Sequence, residues 1–396
     1  MMMSSPSLEK VMAAVNELMS DVASTYRPGL EGVLAGETAI SRISPEIQSL
    51  TYRGYDIKDV MTTCLFEEIA YLLLFGELPT QSELDVFNTE LVAARAVPKA
   101  VIDTLRTYPT DAHPMDTLKA GVATLGLYDD AKNEHSHEAN VAKAKRLIAQ
   151  VSTIAAANFR IQQGLEPVAP AGAELNHAEN FLYMAFGTKP SQAFAHVFNT
   201  TLIIYAEHSF NASTFSARVT TSTLSDIFSG VVAAIGALKG PLHGGANEQA
   251  MLTFLEIGSA ENAEQWTYDA LAQKKKIMGF GHRAYKSGDP RAIAMKPLRD
   301  LLVPEVGDTP WPAIADTLEA IVLKEKGLYP NVDYPIGYIY YMMGIPTQIY
   351  TPIFAVGRMA GWTAHVVEQL ANNRLIRPKA LYTGSPDRAF TPLADR

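Results

Sequence analysis

Residues 191–208, SQAFAHVFNTTLIIYAEH, run almost without a break through apolar side chains and end on a glutamate and a histidine. The stretch is too long for an ordinary strand, and its apolar residues fall on every side of a 3.6-residue turn. It therefore reads as a helix enclosed by other helices. The same reading holds outward from it. SDIFSGVVAAIGALKG (225–240) is apolar nearly all round and rich in small residues, as close helix packing requires. Val60, Met61, Leu65, Ile69, Leu72 and Leu73 recur at three-to-four spacing until Gly76 and Pro79 stop the run. QSELDVFNTELVAAR (81–95), PAIADTLEAIVLKEKG (312–327) and IFAVGRMAGWTAHVVEQLANN (353–373) repeat the pattern. Strand signals are confined to GVLAGETAISRI (32–43) and SLTYRGYDI (49–57), which predict one small N-terminal hairpin. There is no βαβ alternation and no repeat of 20–50 residues. The expectation is a mainly α protein, with Pro-Gly-rich loops at 163–174 and 303–312.

Composition narrows the function. The chain has 396 residues, 47% of them apolar, enough for one large domain or two ordinary ones. A net charge of -9 argues against a general nucleic-acid binder, yet a local basic cleft for an anionic small molecule is compatible with it. The single cysteine, Cys64, excludes an internal disulfide framework and any multi-cysteine zinc site, and its apolar surroundings predict a buried thiol. The opening residues 1–22 are too acidic for a transit peptide and lack the apolar core of a secretory signal. No apolar run is long enough for a membrane span, so a soluble, cytoplasmic protein is expected.

Four short segments combine titratable side chains with turn chemistry. In AEHSFNAST (206–214) a helix runs into His208 and then into Asn211, Ser213 and Thr214. His208 there either caps the last carbonyls or belongs to a ligand-binding turn. In GPLHGGANE (240–248) a proline-glycine turn leads into a helix, placing His243 near a helix N-terminus. That position disfavours imidazolium and leaves a neutral ring able to donate a hydrogen bond; a plain turn residue is the other reading. MGFGHRAYKSGDP (278–290) gathers His282, Arg283 and Lys286 around glycines, with Arg291 just beyond. It is either a solvated surface loop or an anion site that His282 touches. In LYPNVDYPIGYIYY (328–341), Asp333 either caps the following helix or faces an apolar pocket as a general base of raised pKa.

Taken together and in order, HSFNAST, GPLHGGANE, GFGHRAYKSGDPRA, PNVDY, FAVGRMAGW and RPKALYTG resemble the citrate synthase family, and GLEGVLAGETAIS and TYRGYDI fit the same family. The likeness extends from about residue 28 to the C-terminus. It implies a two-domain all-helical fold with residues 244–349 as a smaller mobile domain inserted between 1–243 and 350–396. It implies condensation of acetyl-CoA with oxaloacetate and hydrolysis of the citryl thioester, with no metal or redox cofactor and with acetyl-CoA as a substrate. By motif position Asp333 would take the methyl proton, His243 would hold the enol, and His282 would polarise the oxaloacetate ketone.

The remaining assignments also follow from the resemblance. His208, Asn211, Arg291, Arg358 and Arg377 would bind oxaloacetate, whose two carboxylates suit the planar guanidinium fork. CoA would lie along Ile277, Met278, Gly279, Phe280 and Gly281 and near Asn331, with Lys286 and Lys326 beside its phosphates. The last arginine reaches the partner's site in this family, which implies a homodimer with shared active sites and leaves larger oligomers open. No nucleic acid or membrane is implied. Tyr334 and Pro335 depart from the usual residues after the catalytic aspartate and touch the acyl pocket. The alternative within the family is 2-methylcitrate synthesis from propionyl-CoA; Arg283, where many such enzymes carry proline, favours acetyl-CoA. A metal-binding role for His135 and His137 rests on a single close pair, and His113, His177, His196 and His365 read as structural or exposed.

Overall fold

Residues 192–206 form the helix that their pattern predicts, and the reason lies in a second helix laid against them. The computed structural model describes residues 26–44, 49–282, 285, 287–385 and 387–396. Its helices are α1 Ile57–Val60, α2 Phe66–Phe75, α3 Gln81–Ala94, α4 Lys99–Leu105, α5 Pro114–Leu127 and α6 His137–Gln162. There follow α7 His177–Phe186, α8 Gln192–Ala206, α9 Ala212–Ser222, α10 Ile227–Leu238 and α11 Ala246–Ile257. The last are α12 Ala260–Ala272, α13 Pro290–Val306, α14 Trp311–Lys326, α15 Asp333–Met342 and α16 Tyr350–Ala371. No helix among the described residues is long and apolar enough to cross a membrane.

Helix α16 is the axis of the core. Every side chain from Tyr350 to Val367 is buried, including Trp362 and the polar Arg358, Thr363 and His365. It packs on α6, α8, α9, α10 and α2. Gly357 and Gly361, one turn apart, face α8 so closely that backbone meets backbone. A Cβ on Gly361 would stand 2.3 Å from the Ala206 carbonyl oxygen. This close crossing brings Arg358 of α16 to the C-terminal end of α8, where its Nε donates to the Tyr205 carbonyl.

The expected hairpin is a three-stranded antiparallel sheet of β1 Ser41–Ser44, β2 Ser49–Tyr52 and β3 Tyr55–Asp56. The third strand is two residues long, too short to show alternation, and follows a two-residue turn at Arg53-Gly54, both with positive φ. The Tyr52 hydroxyl donates to the carbonyls of Ile203 and Glu207, each at 3.0 Å, which pins the sheet to the end of α8.

Two expectations need correction. Residues 303–306 and 311–312 are helical, so the loop predicted at 303–312 shrinks to residues 307–310. Pro297 and Pro304 lie inside α13, where they deprive the Ile293 and Asp300 carbonyls of their helical donors. Both of those residues are exposed, so water can replace the missing donors. Cys64 is half-buried rather than enclosed, because it lies in the short turn between α1 and α2.

The terminal segments, residues 26–37 and 376–396, form a unit of their own, apart from the unit Thr38–Leu375. Among their described residues are two single 3-10 turns, Pro28–Leu30 and Leu393–Asp395, and no buried hydrophobic side chain.

Candidate active site

The glycine-rich turn shows how the pieces are aligned. Gly279 and Gly281 have φ of 90° and 78°, a region that side-chain-bearing residues rarely adopt. A Cβ on Gly279 would lie 2.8 Å from the Tyr334 Cβ. So relieved of side chains, the turn zips onto residues 329–331. Gly281 N–H donates to the Tyr329 carbonyl and Asn331 N–H to the Gly279 carbonyl, both at 2.8 Å, while Asn331 Nδ2 donates to the Gly281 carbonyl at 3.0 Å. Asn331 Oδ1 then accepts from the Asp333 backbone N–H at 3.1 Å. One amide thus joins the His282 turn to the first residue of α15.

Asp333 opens α15 rather than capping it, since the cap position is Val332. The residue as a whole is half-buried. Burial, reinforced by Asp289, pushes its pKa up to about 6, with Arg291, the Tyr205 hydroxyl and Arg358 acting the other way. The Tyr205 hydroxyl donates to Asp333 Oδ1 at 3.4 Å.

His243 stands three residues before α11. Burial, with Arg358 adding to it, lowers its pKa to about 4, so the ring is neutral near neutral pH. Nε2 is 2.8 Å from Ser213 Oγ and 3.4 Å from the Ser213 backbone N–H. The Ser213 hydroxyl gives its own proton to Asn211 Oδ1 at 2.7 Å, so its oxygen is free to accept from His243 Nε2. Trp362 Nε1 donates to the same Ser213 hydroxyl at 3.0 Å and holds it in place.

His208 follows the end of α8, which stops at Ala206, so it is not a helix cap. Burial first, then Arg291, His282, Arg358 and His243, hold it well below the usual histidine range. Its Nε2 lies 3.3 Å from the Tyr285 hydroxyl. The His282 ring stacks on Tyr285 at 4.5 Å and meets His208 edge-on at 5.3 Å. Arg291 lies 5.5 Å over the same tyrosine ring. It is locked two-pronged to Asp289 at 3.0 and 2.8 Å, and Asp289 also accepts from the Val332 N–H. Arg358, 98% buried, covers Phe354 at 4.9 Å, and its Nη1 has no partner among the described residues. Behind it the buried Glu207 carboxylate accepts from Ser41 and His365 at 2.8 and 2.9 Å. Buried cation, neutral imidazoles and poised carboxyl together suit removal of a weakly acidic proton next to a bound dianion.

The structure thus gathers His208, His243, His282, Arg291, Asp333 and Arg358 in one place, with the 277–281 turn beside them. Asn211 is used locally. Its Oδ1 caps α9 through Thr214 N–H at 3.1 Å, and its Nδ2 donates to Thr214 Oγ1 at 2.8 Å. Arg377 is exposed in the terminal unit, and Lys326 is exposed at the end of α14. Lys286 and Arg283 lie outside the described residues. Tyr334 turns into the protein, packing on Phe280 at 4.6 Å and donating to the Ala315 carbonyl at 2.8 Å. His135 and His137 are exposed, and no group of three or more metal-ligating side chains occurs among the described residues. Sequence reasoning missed Tyr205, Asn247, Tyr285, Glu207 and Asp289. Only Asp289 carried a signal, as the Asp-Pro that opens a helix.

Comparison with known proteins identifies the family. The family model described as citrate synthase, C-terminal domain, matches residues 29–379. Citrate synthase 2 of Bacillus subtilis is 48% identical, over 94% of this chain and 100% of that protein. A 2-methylcitrate synthase of Mycobacterium tuberculosis is 45% identical over 92% of each chain. Among solved structures, the ternary complex of carboxymethyl coenzyme A and oxaloacetate with citrate synthase from the archaeon Thermoplasma acidophilum superposes with a TM-score of 0.86. It is 37% identical and covers 93% of this chain and 99% of that one. The chain belongs to the citrate synthase family.

Proposed function

We propose that the protein condenses acetyl-CoA with oxaloacetate and hydrolyses the resulting citryl thioester, releasing citrate and CoA. The observation that carries this reading is a carboxyl of pKa about 6, Asp333, brought into one site with a neutral imidazole, His243. Asp333 takes a proton from the acetyl methyl group while the His243 imidazole N–H bonds the thioester oxygen, so the enol forms without a full charge in the open. The enol carbon attacks the oxaloacetate ketone carbon, and His282 donates to the ketone oxygen as it becomes a hydroxyl. Water then cleaves the thioester. Proton transfers and hydrogen bonds suffice for every step, so the reading calls for no metal or redox cofactor.

Arg291, Arg358 and His208 hold oxaloacetate, and Asn211 shapes the turn that carries His208. The unpartnered Nη1 of Arg358 supports this, because a buried guanidinium edge calls for an acceptor. The 277–281 turn, Asn331, Lys286 and Lys326 receive CoA. Residues 244–349 act as the smaller mobile domain between 1–243 and 350–396, a division supported by helices α11–α15 packing mainly on one another. Its closure excludes water while the enol exists. The working form is a cytoplasmic homodimer in which Arg377 of the partner subunit completes the carboxylate-binding set.

Thiol release from acetyl-CoA and from propionyl-CoA, each with oxaloacetate, tests the reaction. A higher kcat/KM for acetyl-CoA is expected. Preference for propionyl-CoA would replace the reading by 2-methylcitrate synthesis, and no release with either would overturn it. The substrate assignment has its own test. In Arg358→Gln the KM for oxaloacetate should rise about 100-fold or more, since charge-assisted hydrogen bonds are lost. The KM for acetyl-CoA should stay within a few-fold, and an unchanged oxaloacetate KM would remove Arg358 from the site.

A further inference from the structure

Tyr205 reads from the sequence as one more apolar ring in α8. In the structure it is fully buried, and its ring stacks on Phe354 at 4.0 Å, next to the arginine and histidine of the site. Its hydroxyl has two polar neighbours from two other helices, Asn247 of α11 and Asp333 of α15.

The direction of each bond can be read along the chain. The Glu248 backbone N–H donates to Asn247 Oδ1 at 2.7 Å, which fixes the orientation of that amide. Asn247 Nδ2 must then donate to Tyr205 Oη, at 2.9 Å. With a donor already pointed at its oxygen, the phenol directs its own proton to the remaining neighbour, Asp333 Oδ1 at 3.4 Å. We infer that Tyr205 is a positioning residue for Asp333: its hydroxyl, oriented by Asn247, holds the carboxylate in place and favours its ionised form. The inference rests on Asp333 being the base that takes the methyl proton.

The chemistry is consistent on both sides. Burial, with Asp333 itself adding to it, raises the Tyr205 pKa far above the usual phenol range, so the phenol remains a donor throughout the working pH range. A hydrogen bond to the carboxylate form lowers the pKa of a carboxylic acid, which opposes the upward push of burial. The other charged groups acting on Asp333 are Asp289 and Arg291 from the start of α13 and Arg358 from α16. Asp289 disfavours ionisation and the two arginines favour it, and all three remain in a Tyr205 variant. Their balance alone would leave the base more protonated near neutral pH.

The test is the pH profile of kcat/KM for acetyl-CoA in the full-length protein. In Tyr205→Phe the acid limb should move up by about one pH unit. The rate at high pH, where Asp333 is ionised in either protein, should recover to within about tenfold of the parent. Asn247→Ala, which leaves the phenol free to turn away, should move the limb in the same direction by less, and serves if the first variant does not fold. A structural role alone would lower the rate at every pH and leave the limb in place, which would overturn the inference. Asp333→Asn separates the two levels. If it is inactive while the limb of Tyr205→Phe stays put, only the inference falls. If it remains active with the parent's limb, the reading of Asp333 as the base falls and the inference goes with it.

Discussion

Asp333→Asn should lower kcat by roughly a hundred- to ten-thousand-fold, the usual contribution of a general base, while the protein stays folded. The amide has nearly the volume of the carboxyl, so Asn331 and Tyr205 keep a neighbour of the same shape. The oxaloacetate KM should change little, because Arg291, Arg358 and His208 are untouched. Stability supplies an independent check with a definite sign. The folded pKa of Asp333 is about 6, above the 3.8 of an unperturbed aspartate. Between those values the folded protein binds more protons than the unfolded chain, so Asp333 detracts from stability once it ionises. Asparagine cannot ionise. The variant's Tm should therefore equal or exceed the parent's at about pH 8, and the difference should vanish below about pH 4, where both forms are neutral. Thiol release measures the first effect and thermal unfolding at two pH values the second. Near-parental kcat would remove Asp333 from the chemistry. A Tm well below the parent's at high pH would show that the carboxylate is structural instead.

That combination, lost activity with retained stability, follows from how the site is assembled. Its members come from α13, α15, α16 and the three turns that carry His208, His243 and His282, and the buried charges among them are only partly compensated. Arg291 has Asp289 in a two-pronged ion pair, whereas Arg358 has an edge without a partner and Glu207 is the countercharge that acts on it most. Sites of this kind hold unfavourable electrostatics because a ligand completes them.

Much of this was readable in the chain before folding was considered. The helical class follows from residues 191–208 and 225–240, where apolar side chains leave no polar face for a half-exposed strand. His243, His282 and Asp333 stand out because each breaks a glycine- or proline-rich turn with a titratable group. Tyr205 does not stand out, because a tyrosine within FNTTLIIYAEH has the pattern of a core residue and only the approach of α11 and α15 gives its hydroxyl partners. Asn247 is masked in the same way, as one polar residue in the first turn of a helix. Asp289 could be seen as a cap but not as the clamp on Arg291, since the side-chain pairing depends on the Val332 backbone meeting it from elsewhere. The short third strand and the continuation of α13 past Pro304 escaped for a simpler reason. Local propensity is a weak guide where two residues, or one exposed turn, decide the assignment.

The second large effect concerns the crossing that brings Arg358 to the end of α8. Gly361→Ala places a methyl group 2.3 Å from the Ala206 carbonyl oxygen and 2.4 Å from Glu207 Oε2. Neither neighbour can yield easily. The first is backbone at the end of a buried helix, and the second is a carboxylate already held by Ser41 and His365. The helices must separate, and overpacking of this severity should cost about 3 kcal/mol or more. Gly357→Ala provides the graded comparison, because its added methyl would lie 3.0 Å from the Leu202 carbonyl oxygen and 3.1 Å from the Tyr205 Cβ. That contact is tight but not prohibitive, so its loss of stability should be clearly smaller. Denaturant unfolding of the two variants gives the order directly. Function should follow the same order, because separating α16 from α8 draws Arg358 away from His208, and oxaloacetate affinity measured by calorimetry should fall most in Gly361→Ala. Parental stability in that variant, or a greater loss at Gly357, would show that the crossing does not set the position of the arginine.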